Sequence, residues 1–148
     1  MLLDVAREFF DDAGWAYETN DGAPMLRAFH AGATGTFPVY VKADEERDQL
    51  VVYAVLPDAV PIERRPDVGS LLAGLNYGLS IGNFELDHGD GEVRFRAGID
   101  VEGGTLTRRM VRSLAAACVV NLDLYRAAIR AVADGSMTSL EALDDAGA

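Results

Sequence analysis

Five arginines supply the densest positive charge in a chain whose net charge is −11. They are Arg94, Arg96, Arg108, Arg109 and Arg112. The last three fall in the first turns of a predicted helix, where the helix dipole disfavours cations. Two interpretations stay open. Either these arginines pair with the abundant acidic side chains, or they bind an anion or an acidic segment of a partner.

Four further side chains are candidates for contact with a polypeptide. They are Tyr40, Tyr53, Val55 and Tyr77. We expect them to be exposed apolar or amphipathic groups, because their positions on predicted strands and at a helix end do not require them for a core. Together with the arginines they make up the predicted binding residues.

No residue set has the spacing of a catalytic or metal-binding motif. None of the serines lies in a Gly-x-Ser-x-Gly turn. The glycines have neither the spacing of the P-loop (G-x-x-x-x-G-K-[ST]) nor that of the dinucleotide-binding loop (G-x-G-x-x-G). His30 and His88 are the only histidines, and residues 87–92 lack the alternating oxygen ligands and closing glutamate of a calcium loop. Cys118 lies in an apolar helical run, which predicts a buried, unreactive thiol. We therefore predict no enzymatic activity, no cofactor and no metal.

The charge balance and hydropathy bear on partners and location. With 24 acidic against 13 basic residues, the chain is not expected to bind nucleic acid, which needs a basic surface. No apolar stretch is long enough to cross a bilayer, and residues 1–7 lack the pattern of a signal peptide, so we expect a cytoplasmic protein with no membrane partner. Lys42 is the only lysine. The acidic, lysine-poor composition fits either a GC-rich genome or adaptation to high salt, and stability measured into molar KCl separates the two, since a steep rise indicates adaptation.

Hydrophobic periodicity predicts an α+β domain in the order helix, three strands, helix, two strands, helix. The predicted elements are a helix from residue 2 to Gly14, strands 25–31, 36–42 and 49–56, a helix that Asp67 caps and that runs to about Leu79, strands 81–87 and 92–99, and a long C-terminal helix over about 106–133. The five strands form an antiparallel sheet with the helices packed on it. Residues 1–135 make a single domain, and residues 136–148 make an acidic tail that frays or adds one turn through Met137, Leu140 and Leu143.

The second hairpin has a specific predicted register. A four-residue loop at residues 88–91 sets Leu86 opposite Val93, Phe84 opposite Phe95 and Glu85 opposite Arg94. The apolar residues then share one face and the charged residues the other. A slip by one residue would bury Arg94 and Arg96, so the register is strongly favoured.

This hairpin and the helix before it carry a family resemblance. Residues 72–76 (LAGLN), 82–87 (GNFELD) and 91–96 (GEVRFR) resemble the YbjN family, and the element order extends the likeness over roughly residues 1–133. The pattern is similar in turn to the type III secretion chaperone fold. The resemblance implies a five-stranded antiparallel sheet with helices against it, a common dimeric state, and binding of other polypeptides or a regulatory role. No catalytic residues belong to the family.

The expected function is therefore a non-enzymatic protein-binding module, chaperone-like or regulatory, that acts as a homodimer. Its partners are a second copy of itself and an unknown polypeptide. The alternative is a regulatory domain that senses a small molecule or anion through the arginine cluster. This expected function is based largely on the resemblance of the fold. Because proteins that share a fold can differ in function, the binding role has to be argued from the residues on the surface of the folded chain.

Overall fold

The computed structural model describes residues 1–20 and 22–147. Its elements in chain order are helix α1 (Leu2–Asp12), strands β1 (Tyr17–Thr19), β2 (Met25–Gly32), β3 (Gly35–Asp44) and β4 (Gln49–Val55), helix α2 (Arg65–Asn76), strands β5 (Asn83–Leu86) and β6 (Val93–Asp100), and helices α3 (Arg108–Ala133) and α4 (Ser139–Asp145). The α+β class and the long C-terminal helix α3 are confirmed.

The sheet has six antiparallel strands in the order β1-β2-β3-β4-β6-β5. The prediction of five strands was wrong, because the extended segment after α1 pairs with β2 as the edge strand β1, with Tyr17 opposite Ala28 and Thr19 opposite Leu26. Three residues are too few to show a period of two, so the neighbouring strand, and not the local sequence, makes this segment a strand.

All four helices lie on one side of the sheet, where every second strand residue is buried. Along β3 the buried side chains are Phe37, Val39, Val41 and Ala43, and β4 and β6 continue the same alternation. Helix α3 packs across β4 and β6, with α1 and α2 beside it. The opposite side of the sheet keeps its side chains half-buried or exposed.

Helix α3 begins at Arg108 because Thr107 caps it, with the Met110 N–H donating to Thr107 Oγ1 at 3.2 Å. Most of the apolar residues that recur every three or four positions along α3 are buried, including Leu114, Leu122 and Ile129, and Tyr125 is half-buried. Met110 lies outside the core. It is 38% exposed, because its sulfur turns back to accept the Thr107 N–H at 3.4 Å.

The Cys118 thiol lies in the centre of the helix–sheet interface and donates to the Val52 carbonyl at 3.4 Å. Burial raises its pKa to about 12. The prediction of a buried, unreactive thiol is confirmed, because the thiolate that reacts is not formed at neutral pH.

Helix α2 starts earlier than predicted, and helix α1, which starts at residue 2 as predicted, has a cap that the sequence did not indicate. Helix α2 begins at Arg65, so Asp67 is not its cap but lies in its first turn, where it pairs with Arg64 at 3.1 Å. The Glu45 carboxylate, in the turn between β3 and β4, accepts the Leu2 and Leu3 N–H groups at 3.0 and 3.1 Å. It caps α1 across 42 residues of chain, which no local pattern predicts.

The C-terminal segment forms the two-turn helix α4, which packs against α2 and α3. Ala142 is fully buried there, and Met137 and Leu143 contact the core. Leu140 is 77% exposed and takes no part in the docking.

The predicted register of the second hairpin is confirmed, with Phe84 opposite Phe95, Glu85 opposite Arg94 and Leu86 opposite Val93. The outer edge of β5 is closed by Asn76, the last residue of α2. Its Oδ1 accepts the Phe84 N–H at 2.7 Å, and its Nδ2 donates to the Phe84 carbonyl at 3.1 Å. Asn76 therefore satisfies the two backbone groups that a further strand would otherwise bind.

Leu122→Ala is expected to lower the free energy of unfolding by about 2–5 kcal/mol, because it opens a cavity under the sheet. Leu140→Ala removes the same atoms from an exposed position and should change it by less than about 0.5 kcal/mol. Urea denaturation followed by circular dichroism measures both. Equal losses would show that α3 does not hold the core.

Asn76→Ala should lower the free energy of unfolding by about 1–3 kcal/mol, because the half-buried Phe84 N–H loses its acceptor. Asn121→Ala is the matched control, since Asn121 only donates to the Ala117 carbonyl within α3. Denaturant titration of both variants tests this, and an Asn76→Ala protein as stable as the control would contradict the clamp.

Candidate binding surface

The side of the sheet opposite the helices carries most of the predicted strand residues. We call it the open face. It includes the basic, aromatic and aliphatic side chains of Arg27, Phe29, Tyr40, Lys42, Val51, Tyr53, Val55, Arg94 and Arg96 and the acidic side chains of Glu18, Asp44, Glu85 and Asp100. Each alternates with a core residue on its strand, so the burial of the core fixes the direction in which each open-face side chain points.

A single cross-strand row runs through the middle of the open face. Arg27 lies opposite Tyr40, Tyr40 opposite Tyr53, Tyr53 opposite Arg96, and Arg96 opposite Asn83. Directly opposed residues on antiparallel strands contact one another. At the usual strand spacing this row of two arginines, two tyrosines and an amide extends for about 19 Å.

Arg94 is held in place by two contacts. Its Nε donates to the Glu85 carboxylate at 2.9 Å, and its guanidinium carbon lies 4.3 Å from the centroid of the Tyr53 ring. Both contacts come from the register of β4, β5 and β6. Arg94 therefore orients the Tyr53 ring and has one carboxylate already bound.

Arg96 and Lys42 differ from Arg94, because neither forms a salt bridge within residues 1–20 and 22–147. Arg96 borders a shallow depression of about 370 Å³ that Gly98 opens by having no side chain. Asp100 stands at its rim, and hydrogen bonds from the Gln49 side chain and the Glu102 N–H lower the pKa of its carboxyl. On the open face Arg96 and Lys42 are thus the cations without a salt bridge among the described residues, whereas Arg27 pairs with Glu18 and Arg94 with Glu85.

The remaining predicted residues lie elsewhere. Arg108, Arg109 and Arg112 are exposed on α3, on the helix side of the sheet, and Arg108 pairs with Asp12 of α1. Tyr77 is 92% exposed just beyond α2. The structure brings Arg94, Arg96, Tyr40, Tyr53 and Val55 together and leaves the other three arginines and Tyr77 apart. Tyr77 is exposed as predicted, whereas Tyr40, Tyr53 and Val55 are half-buried, because side chains on the neighbouring strands cover them in part. The five arginines are not one cluster.

Sequence reasoning missed a sixth arginine. Arg126 lies on the buried stripe of α3, between Leu122 and Ile129, and is only 6% exposed. Its position on that stripe was a detectable signal, because the helical spacing that predicts burial of Leu122 and Ile129 applies equally to Arg126.

Two general site types are not found in the described part of the chain. No three residues among His, Cys, Asp and Glu come together as they would around a metal ion. None of its helices is both long enough and apolar enough to cross a membrane.

Comparison with known proteins now fixes the family. The sequence pattern of the YbjN family, described as "putative bacterial sensory transduction regulator", matches residues 3–131. The chain belongs to the YbjN family. No curated protein matches its sequence.

Three solved structures share the fold of this YbjN-family chain. YbjN from E. coli superposes with a TM-score of 0.56 at 15% identity, over 82% of this chain and 86% of its own. A chain of the ExsC–ExsE complex gives 0.59 at 21% identity, over 83% and 89%. A chain of the HopA1–SchA chaperone–effector complex gives 0.52 at 16% identity, over 90% and 91%. The fold that this family member shares with type III secretion chaperones is thereby shown.

Within the family motif, the structure gives the residues packing roles. Asn76 closes the β5 edge, Phe84 and Phe95 stack edge to face at 4.9 Å, and Glu85 pairs with Arg94. Arg96 is the one arginine of the motif that forms no salt bridge with the described residues, since Arg94 pairs with Glu85.

Proposed function

We propose that this YbjN-family chain is a non-enzymatic protein-binding module, chaperone-like or regulatory, that binds an acidic polypeptide segment on its open face. The observation that carries the proposal is that Arg96 and Lys42 project from the open face without a salt bridge among the described residues, in a chain of net charge −11. Cations that the described chain leaves without a salt bridge favour a partner segment of opposite charge.

The apolar part of the open face favours a polypeptide over a small anion. Tyr40 and Tyr53 lie side by side between Arg27 and Arg96, and Val51 and Val55 flank Tyr53 along β4. Two tyrosines between two arginines, along a row of about 19 Å, suit an extended segment of about six residues, which presents side chains at about 3.3 Å per residue. Tyrosine and arginine are the side chains that most often anchor such interfaces.

The fold comparisons support the same class of function. Complexes of the ExsC–ExsE and HopA1–SchA kind join two different proteins, and the second is a chaperone–effector pair. The family description points to regulation. A chaperone-like or regulatory role is consistent with both the fold comparisons and the family description. Neither a chaperone nor a regulator of this kind needs to make or break covalent bonds. The buried Cys118 thiol, held as a thiol by its raised pKa, is no nucleophile.

The alternative of an anion sensor that uses the arginine cluster is less well supported. Arg94 and Arg96 lie on the open face, whereas Arg108, Arg109 and Arg112 lie on α3 beyond the sheet. One anion cannot contact both groups, and Arg94 and Arg108 already bind Glu85 and Asp12.

We also propose that the chain acts as a homodimer through the outer side of α3. Val120 and Leu124 lie one turn apart on this helix and are 59% and 64% exposed. Two large aliphatic side chains on neighbouring turns form a ridge of the kind that packs against a second helix.

A fluorescent peptide of about ten residues in which Glu alternates with Val should bind at least about tenfold more tightly than its Gln-for-Glu counterpart. Arg96→Glu should weaken binding of the Glu peptide about tenfold, because it replaces attraction by repulsion beside the two tyrosines of the row. Fluorescence polarisation at about 20 mM and about 500 mM NaCl measures the affinities, and the preference for Glu should shrink with salt.

Arg112→Glu is the matched control for that experiment, because it makes the same charge change on α3. Its affinity should stay within about twofold of the wild type. If Arg112→Glu weakened binding as much as Arg96→Glu, or if the Gln peptide bound equally well, the open face would not be the binding surface. Circular dichroism of both variants establishes that they are folded.

Light scattering on a size-exclusion column should give twice the chain mass of 15.9 kDa at micromolar concentration. The double variant Val120→Glu, Leu124→Glu should elute at the monomer mass, because charges on both chains would face each other. A wild-type protein that stays at 15.9 kDa up to about 100 μM, far above an ordinary dimer dissociation constant, would contradict the homodimer.

A further inference from the structure

A cleft of about 180 Å³ lies between the last turns of α3 and the loop that follows β4. Its walls are mainly apolar and include Leu56, Val60, Ile129 and Ala133. A cavity of about 150 Å³ holds a benzene molecule, so this cleft is large enough for a ring or a short aliphatic chain.

Arg126 lines this cleft and is its only buried charge among the described residues. Its Nη1 has no hydrogen-bond partner in residues 1–20 and 22–147, and no carboxylate within those ranges pairs with its guanidinium. A buried charge without a partner is strongly unfavourable, so such a group is expected to have a counterion when the protein is at work.

The fold makes room for this guanidinium. Gly35 stands against it with φ of +131°, and a β-carbon at that position would lie 3.0 Å from Nη1 and 3.5 Å from Cζ. Any side chain at residue 35 would therefore press on Arg126 as well as strain the backbone. The guanidinium is thus confined between Gly35 of the β2–β3 turn and the cleft.

Hydrogen bonds within the protein hold the walls of the cleft in place without a ligand. The loop after β4 is tied to the second hairpin by hydrogen bonds from Leu56 N–H to the Val93 carbonyl at 2.9 Å and from Val60 N–H to the Gly91 carbonyl at 2.8 Å. Arg65 Nε donates to the Val60 carbonyl at 3.0 Å. A ligand would enter a formed site and would not have to order the loop.

We propose that this cleft binds a small monocarboxylate with an apolar body, such as an aromatic acid or a short fatty acid, with its carboxylate on Arg126. The planar guanidinium donates two parallel hydrogen bonds to a carboxylate, and the apolar walls take the remainder of the molecule. Asp58 and Asp134 lie at the same cleft, where Arg130 is 3.7 Å from the Asp58 carboxylate, and these two carboxylates disfavour a doubly charged ligand such as phosphate.

This site is separate from the open face and adds a second ligand class to the proposed function. Arg126 belongs to the buried stripe of α3 on the helix side of the sheet, whereas the open face points the other way. A carboxylate bound there would join α3 to the loop after β4 and stabilise the folded chain by mass action. The inference does not depend on polypeptide binding and can fail without affecting it.

The experiment is a titration of the ¹⁵N-labelled protein with benzoate, with benzyl alcohol as the neutral analogue and acetate as the anion without a body. Benzoate should shift the amide signals of residues 56–61 and 126–134 in a saturable way and raise the melting temperature. Benzyl alcohol and acetate should each bind at least about tenfold more weakly, because each lacks one of the two interactions.

Arg126→Met should abolish benzoate binding while leaving the ligand-free protein at least as stable as the wild type, because it removes an unpaired buried charge and keeps the volume. Arg112→Met is the control and should bind benzoate like the wild type. Ala133→Leu, which retains Arg126 and fills the cleft, should also lose binding. It keeps the inference testable if Arg126→Met does not fold.

Three results would overturn the inference. One is the absence of saturable shifts around the cleft at millimolar benzoate. The second is equal binding of benzyl alcohol, which would make Arg126 irrelevant. The third is benzoate binding that survives in the folded Arg126→Met or Ala133→Leu protein, which would place the ligand elsewhere, including on the open face.

Discussion

The burial of one side of the sheet under α3 is the interaction on which the rest of this structure depends. Leu114, Cys118 and Leu122 lie on the stripe that meets β4 and β6, and the Cys118 thiol reaches the Val52 carbonyl itself. Because strand side chains alternate, burying one set leaves the other set on the far side of the sheet. The open face is therefore a direct consequence of where α3 packs.

That constraint also separates the charges. Arg94 and Arg96 alternate with Val93, Phe95 and Ala97 of β6. Their side chains therefore point to the side of the sheet opposite the helices. The acidic excess of the chain is carried by helices, turns and the C-terminal region. Four cations thus meet on one face of an acidic protein without any long basic run in the sequence, since β2, β3 and β6 each contribute one or two of them.

The edges of the sheet explain why its face, and not its rim, is the better candidate for binding. At one edge Asn76 takes up both free backbone groups of Phe84, and at the other edge β1 offers only three residues. Strand addition needs a row of unpaired backbone groups, which the β5 edge lacks at its centre. The Arg126 cleft arises from the same packing, where α3 runs on past the end of β4 and leaves space above the following loop.

The sequence by itself determined the elements whose apolar residues recur at regular spacing: α1, α2, α3, and β2 to β6. It also determined the register of the second hairpin, because only one register keeps Arg94 and Arg96 out of the core. Contacts between residues distant in the chain decided the rest. β1 is a strand only because β2 lies beside it. Glu45 caps α1 from the turn between β3 and β4. Helix α4 forms where it can pack against α2 and α3. The five arginines looked like one group because they are near in sequence, yet the sheet separates them. Arg126, alone on an apolar stripe, became a candidate site only when Gly35 and the loop after β4 closed around it, since which groups share a cavity is set by tertiary packing and not by sequence spacing.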